Sequence, residues 1–311
     1  MSDDVRVLVT GGSGFVGTWV LKELLERGAT PVVLDNRPAP ERWRRVLGDA
    51  AARVVVSPVS LLDRDALVQL LTTERITHII HLAAWLTPEC QSDPYRGCEI
   101  NVLGSVAVFD AARLAGKVQS IVYASSYAIY GPEQPEIDSM TNKPPTFYGA
   151  FKQAFDGIAD QYARHFAIRS IAIRPHVVYG PEREQGLTAG PSLACRAAAR
   201  GEPYTIGYRG VVGYDYVEDV ARAFVESTFH CPAGFAGFEM PSCSATTEQF
   251  VAALEEVEPS ARGLIQVAGP TIPANIPPQP VAISKLFPDW RPTSLKDGIR
   301  RTIDFYRPHA P

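Results

Sequence analysis

Long apolar runs are missing from this 311-residue chain, and no stretch approaches the roughly 18 apolar residues that a membrane span needs. Dense basic runs are missing as well. With a formal net charge of −4, there is no electrostatic reason to expect nucleic acid or an anionic membrane surface as partner. Cysteines are few: the five, at 90, 98, 195, 231 and 243, are odd in number and show no CxxC spacing. That pattern indicates neither a disulfide framework nor a structural zinc site, so no metal is expected and a reducing cytoplasm fits. The amino-terminal MSDDVRVLVTGG carries two acids before a short apolar run, unlike a basic-then-apolar secretory signal. Repeats and low-complexity tails are absent too. What remains is a 46% hydrophobic chain able to bury a sizeable core in one large or two intertwined domains, with a small molecule as its expected partner.

Short β-branched runs recur along the first half: VRVLVT (5–10), PVVLD (31–35), RVVVS (53–57), HIIHL (78–82), SIVYAS (120–125) and SIAIR (170–174). Helical spacing falls between them, at 15–27, 63–73, 94–115 and 149–166. Strands alternating with helices predict βαβ units, and strands without polar alternation predict a parallel sheet covered on both faces. The expected class is therefore α/β, a doubly wound parallel sheet with a smaller C-terminal α/β lobe. After Pro175 the chain turns richer in glycine and proline, with short helical patterns near 190–200, 218–229, 247–256 and 295–306. This predicts a first domain over 1–175 and a smaller lobe over 176–311, with 213–230 returning to the first; the motifs that follow assign the nucleotide to the first and the substrate to the second. The stretch 268–280 reads as proline-rich loop.

Between the first strand and the first helix stand Gly11, Gly14 and Gly17. Glycines there permit a tight turn, close backbone approach to a pyrophosphate and close helix–strand packing, while the helix amino terminus offers N–H groups to the anion. A carboxylate, Asp35, ends the second strand 18 residues beyond Gly17. It is placed to accept from the adenosine ribose hydroxyls and to repel a 2′-phosphate, which favours NAD; Arg37, two residues on, keeps NADP as the alternative.

The segment FYGAFKQ (147–153) puts Tyr148 and Lys152 on one face of a helix. Exposed, the pair would be an accident of surface composition. Buried, an ammonium about 6 Å from the phenol would stabilise phenolate by about 2.8 kcal/mol and bring Tyr148 towards physiological pH. Other candidates read as structure. His78 and His81 project to opposite faces of a strand, and Glu133, Glu136 and Asp138 fall in a proline-containing loop that reads as a solvated turn.

Taken in order, TGGSGFVG (10–17), Asp35, HLAA (81–84), NVLGS (101–105), SSYAIYG (125–131), YGAFK (148–152), RPHVVYGP (174–181) and SLKDGIRRTIDFY (294–306) resemble the extended short-chain dehydrogenase/reductases. The closer likeness is to the NAD-dependent epimerase/dehydratase group typified by UDP-galactose 4-epimerase. The resemblance implies an NAD-binding Rossmann domain, catalysis by Ser126, Tyr148 and Lys152, and a homodimer formed through the helices near 94–115 and 149–166. Cofactor contacts are implied from Gly11, Gly14, Phe15, Val16 and Gly17; from Asp35, Asn36, Arg37, Ser60 and Leu61; from Leu82, Ala83, Ala84 and Asn101; and from Ser125, Tyr148, Lys152, Pro175 and Val177. Trp85, Ser126, Tyr127 and His176 are implied at the substrate, with a structural role for His176 left open.

Departures from the family pattern narrow the chemistry. Tyr127 and Ala128 stand where its sugar-nucleotide dehydratases carry an Asp-Glu pair and its decarboxylases a glutamate. Val177 and Val212 stand where UDP-sugar members carry the asparagine and arginine that serve the diphosphate. Arg183 or Arg209 could substitute from the second lobe. A buried diphosphate without paired donors is costly. The expected activity is therefore reversible NAD-dependent oxidation of a secondary alcohol of a sugar, sugar acid or similar polyol. A nucleotide-sugar epimerase that retains NAD and a non-catalytic NAD-binding protein remain as alternatives, and the loop REQGLTAGPS (183–192), expected to shape the substrate pocket, names no substrate.

Overall fold

The structure, a computed structural model, describes residues 5–131, 143–272 and 281–307. The loop carboxylates Glu133, Glu136 and Asp138 lie outside the described residues.

Twelve strands are present among them: β1 (Arg6–Thr10), β2 (Thr30–Leu34), β3 (Val55–Ser57), β4 (His78–His81), β5 (Ser120–Ala124), β6 (Ser170–Arg174), β7 (Val177–Tyr179), β8 (Tyr204–Ile206), β9 (Val211–Tyr216), β10 (Phe235–Glu239), β11 (Cys243–Thr246) and β12 (Ile265–Val267). The helices are α1 (Phe15–Glu26), α2 (Pro40–Leu47), α3 (Arg64–Thr73), α4 (Thr87–Ser92), α5 (Pro94–Cys98), α6 (Gly104–Ala115), α7 (Phe147–Phe166), α8 (Gly190–Arg200), α9 (Val217–Phe229), α10 (Thr247–Val257) and α11 (Leu295–Tyr306).

Seven strands pair in parallel in the order β10-β6-β5-β4-β1-β2-β3. The residues of the inner strands β4 to β6 and β1 to β2 are mostly apolar and buried on both faces, as unbroken runs such as HIIH and SIAIR require, while the edge strand β3 leaves Val55 and Val56 exposed. One cluster packs α3, α6 and α7 against one face around Phe109, Tyr123 and Phe155; the other packs α1 and α9 against the opposite face and runs on into the second lobe. Strand order reverses between β1 and β4, so the crevice above their carboxyl ends is the topological place for a dinucleotide.

Local signals explain several boundaries. Asp63 caps α3 by accepting from the Ala66 N–H, and Thr146 caps α7 by accepting from the Gly149 N–H at 3.1 Å. Helix 94–115 is interrupted: a π turn over Glu99–Leu103 joins α5 to α6. After β9 the chain returns to the large sheet through α9, which packs on α1, and through β10, which pairs with β6. Strand β10 lies beyond the stretch 213–230 expected to return. The second lobe holds the sheet β11-β9-β7 and the pair β12-β8. No helix among the described residues is long and apolar enough to cross a membrane.

Candidate active site

The glycine turn closes on itself through backbone contacts that leave no room for side chains. Gly11 sits at φ +72°, and a β-carbon there would lie 2.8 Å from the Ala83 nitrogen; one on Gly17 would lie 2.2 Å from the Gly11 carbonyl oxygen. The chain at Leu82 and Ala83 is pinned against this turn, since both N–H groups donate to the Thr10 hydroxyl at 3.2 Å. Helix α1 starts at Gly14 with no side-chain cap, so its first-turn N–H groups remain for a ligand. The Ser13 hydroxyl is buried with no partner among the described residues. Asp35 accepts the N–H groups of Ser13 at 3.0 Å and Arg37 at 2.9 Å, which fixes a carboxylate beside the same turn. Backbone room, unused donors and this carboxylate together fit a dinucleotide without a 2′-phosphate.

Several expected cofactor residues have side chains engaged within the protein. Asn101 spends its amide on the chain around Trp85: its Oδ1 accepts the Trp85 N–H at 2.7 Å and its Nδ2 donates to the Trp85 carbonyl at 2.9 Å. It is a strut for the 83–86 loop. Ser125 is buried and donates to Asp156 at 3.1 Å. Val177 is packed in the core of the small sheet. Asn36 and the Arg37 side chain are exposed beside Asp35, Ser60 is exposed with its hydroxyl accepting the Leu62 N–H, and Leu61 packs on Gly104. Phe15 and Val16 line the first turn of α1, half-buried.

Ser126, Tyr148 and Lys152 are brought together at the carboxyl end of β5. Ser126 starts a 3-10 turn by accepting the Ala128 N–H at 3.1 Å, and its side chain stands near enough to the Tyr148 phenol to pull that group's pKa down. Lys152 lies one turn further along α7, buried, donating to the Ala124 carbonyl at 2.6 Å with its Nζ 5.7 Å from the Tyr148 ring centroid. Burial lowers the Lys152 ammonium to about 8, against the opposing pull of Asp156. The expected fall in the Tyr148 pKa is not found. Burial raises the phenol above its usual value, only partly offset by the nearby Ser126 hydroxyl. Lys152 points at a carbonyl and lies over the ring rather than beside the oxygen, so its charge does not overcome that burial.

Beneath this trio is an ion set that sequence spacing did not reveal. Arg174, ending β6, pairs with Asp156 of α7 at 2.9 Å and with Glu239 of β10 at 3.0 Å, and Asp156 also accepts the Tyr123 hydroxyl at 2.7 Å. These partners are distant in sequence, so only the sheet order brings them together. Cys90, buried, accepts from Asn101 at 3.4 Å, and burial raises its thiol above the usual range.

On the substrate side, Tyr127 stacks on His176 with ring centroids 4.4 Å apart. Burial lowers His176 to about 4, so the ring is neutral; its Nδ1 accepts the Gly213 N–H at 3.3 Å and its backbone N–H donates to Asp215 at 2.7 Å. His176 thus has a structural role in joining β7 to β9. Burial raises that Asp215 carboxyl to about 7, with the bonds from Ser242 and His176 opposing. His78 and His81 serve opposite faces: His78 packs edge-on against Phe229 of α9, while His81 bonds Thr10 and Ser105. Val177 and Val212 are only 4% and 3% exposed. Arg209 is spent on Glu248 and the Val267 carbonyl at the surface. Arg183 donates to the Val178 carbonyl and, at 2.8 Å, to the Thr188 hydroxyl, and its positive charge acts to lower the Tyr148 pKa.

Known proteins are similar to this chain in sequence and fold. A model of the NAD dependent epimerase/dehydratase family matches residues 7–234. The UDP-glucose 4-epimerase of Mycolicibacterium smegmatis is 29% identical over 320 residues, covering 97% of this chain and 99% of that one. UDP-glucuronate 4-epimerase 1 of Arabidopsis thaliana is 31% identical over 245 residues, 73% of this chain, and the chain spans only about half of its length, 55%. Among solved structures, the Thermus thermophilus UDP-glucose 4-epimerase complex with NAD superposes with a TM-score of 0.79 at 28% identity, covering 97% of this chain and 99% of that chain.

Proposed function

Because the chain belongs to the NAD dependent epimerase/dehydratase family, with NAD as its cofactor, we propose that it is an oxidoreductase acting on a secondary alcohol of a sugar, sugar acid or similar polyol rather than on a nucleotide sugar. The observation that carries this reading is the burial of Val177 and Val212. They occupy the positions where UDP-sugar members place diphosphate donors, they offer no polar atom, and their side chains face the core. A diphosphate left without charge-assisted donors loses about 1.5–3 kcal/mol per missing bond.

Alcohol and NAD⁺ become ketone, NADH and a proton. NAD when bound supplies the hydride acceptor, and its positive ring adds the charge that Lys152 alone does not bring to the phenol. Ser126 orients the substrate oxygen, Tyr148 takes its proton, and Lys152 holds a positive charge beneath them. The buried Asp156–Arg174–Glu239 set keeps α7 seated on the sheet, and with it the spacing of the trio.

Full-length likeness to a UDP-glucose 4-epimerase favours a second reading, a nucleotide-sugar 4-epimerase that keeps its NADH. Calorimetry on the NAD-loaded protein separates the two: UDP-galactose is expected not to bind below millimolar concentration, and micromolar binding overturns the non-nucleotide reading. A homodimer belongs to the proposal as well, because Tyr95, Leu103, Leu114, Phe147 and Phe166 expose apolar surface on α5 to α7. Sedimentation at micromolar concentration is expected to give twice the chain mass. A cytoplasmic site of action fits the five cysteines, all free thiols.

A further inference from the structure

We propose that Arg183 is the anion-recognition residue of the substrate site, and that the substrate is a polyhydroxy carboxylic acid whose carboxylate Arg183 holds while its carbinol sits at Ser126 and Tyr148. The inference deepens the proposed function and rests on it.

The corner that presents Arg183 is built at a cost. Glu182 adopts a left-handed conformation, φ +72°, rare for a residue with a side chain, and such conformations persist where the surroundings impose them. Here the surroundings are two arginines of α2: the buried Glu182 carboxylate pairs with Arg45 at 2.7 Å and with Arg42 at 3.4 Å. Glu184, the other acid of the corner, is shared between Arg42 at 3.4 Å and Arg196 at 3.3 Å. Both carboxylates flanking Arg183 in sequence are thus committed to other cations. Arg183 turns away from them into the cleft, and no carboxylate among the described residues pairs with it.

A guanidinium carries five N–H donors in a planar fork. Two directions are used, to the Val178 carbonyl and the Thr188 hydroxyl, which fix the fork without neutralising it. Its Nε and the remaining Nη hydrogens have no partner among the described residues. Arg183 is half-buried, and burial lowers it to about 10, as expected of a cation in a partly enclosed cleft without a counter-charge. A planar fork of this kind matches a carboxylate in bidentate fashion. The Arg183 Nη2 and Leu86, at the end of the 83–86 loop, both border Gly186, at 3.6 and 3.5 Å from the place of a β-carbon there, so the guanidinium stands beside the loop next to the reacting pair, which limits the ligand to a short one. If Arg183 only clamped the 183–188 loop, it would not discriminate between acids and their neutral counterparts.

The test is steady-state NADH formation by the full chain with matched pairs: sugar acids, the corresponding neutral aldoses and alditols, the corresponding sugar phosphates, and UDP-glucose. The acids are expected to exceed their neutral partners in kcat/KM by about 10–100-fold, mostly through KM. Arg183→Met is expected to bring that ratio close to one, and Arg183→Lys, which keeps the charge but not the fork, to restore part of it. Equal rates for acids and neutral partners in the native protein would overturn the carboxylate assignment while leaving the oxidoreductase reading intact; because this arm uses no variant, a failure of Arg183→Met to fold does not blunt it. A preference for phosphates over acids, or an acid preference that survives in Arg183→Met, would also overturn it. Interconversion of UDP-sugars with no NADH from any free acid would remove the underlying reading as well.

Discussion

The glycine turn after β1 and the corner at Glu182–Thr188 are joined by a single side chain, Arg42, which donates to the Ser13 carbonyl at 2.8 Å and pairs with Glu182. They are built by opposite means. The turn is mostly local: glycines leave the backbone room and a helix end offers N–H groups, and the neighbouring strands bring only Asp35 and the 82–83 backbone against it. The corner is tertiary: its conformation depends on cations from α2, and the side chain it aims into the cleft acquires meaning only from what faces it. Local construction leaves a spacing that can be read in the sequence, whereas tertiary construction leaves none.

The largest effect expected is chemical. If Tyr148 takes the substrate proton, Tyr148→Phe should reduce kcat by about 10²–10⁴-fold, with NAD affinity in calorimetry within about twofold of the native protein. Retention of turnover would break the link between the two halves of the crevice at its centre. Next comes the frame beneath the substrate side. Arg174→Met leaves Asp156 and Glu239 buried without their cation and should lower stability in chemical denaturation by about 3–5 kcal/mol. A change below about 1 kcal/mol would mean that the ion set does not hold α7.

The local half is tested by Gly17→Ala. A β-carbon 2.2 Å from the Gly11 carbonyl oxygen forces the turn open. The strain of about 1–3 kcal/mol should weaken NAD binding by about ten- to a hundredfold, read by fluorescence titration. Unchanged affinity would show that the turn does not hold the dinucleotide. The smallest effect concerns Lys152, whose folded-state pKa is about 8 against an ordinary 10.5. Between those values the unfolded chain keeps a proton that the folded chain has lost, so stability rises with pH across that window. Denaturation of native protein and Lys152→Met in parallel should show the difference moving by about 1–3 kcal/mol in favour of the native protein from about pH 8 to 10.5. A flat difference would show that the ammonium carries no burial penalty.

Much of the cofactor half was legible in the sequence. The βαβ alternation, the glycine spacing and Asp35 are local patterns, and the helix carrying Tyr148 and Lys152 runs from Phe147 with Thr146 as its cap. Strand β10 was not legible, since FAGFE contains a glycine and sits after a proline-containing turn, and it joins the sheet only through pairing with β6. Asn101 stood in a recognisable motif, yet its role as a strut was hidden, because a motif places a residue near a site without saying which of its neighbours it bonds. The Tyr148 pKa shows the same limit from the electrostatic side. Spacing on a helix gives proximity to a cation, while the depth of burial, which sets the sign here, comes from the packing of α7 against β5 and the cleft wall.

The central claim is net oxidation of a free, non-nucleotide substrate, and the most direct measurement follows NADH absorbance with NAD and free sugar acids or polyols while UDP-glucose and UDP-galactose are assayed for interconversion in parallel. The account predicts NADH accumulating in step with ketone from at least one free substrate and no exchange between the two UDP-sugars; interconversion of the UDP-sugars without net NADH would contradict it.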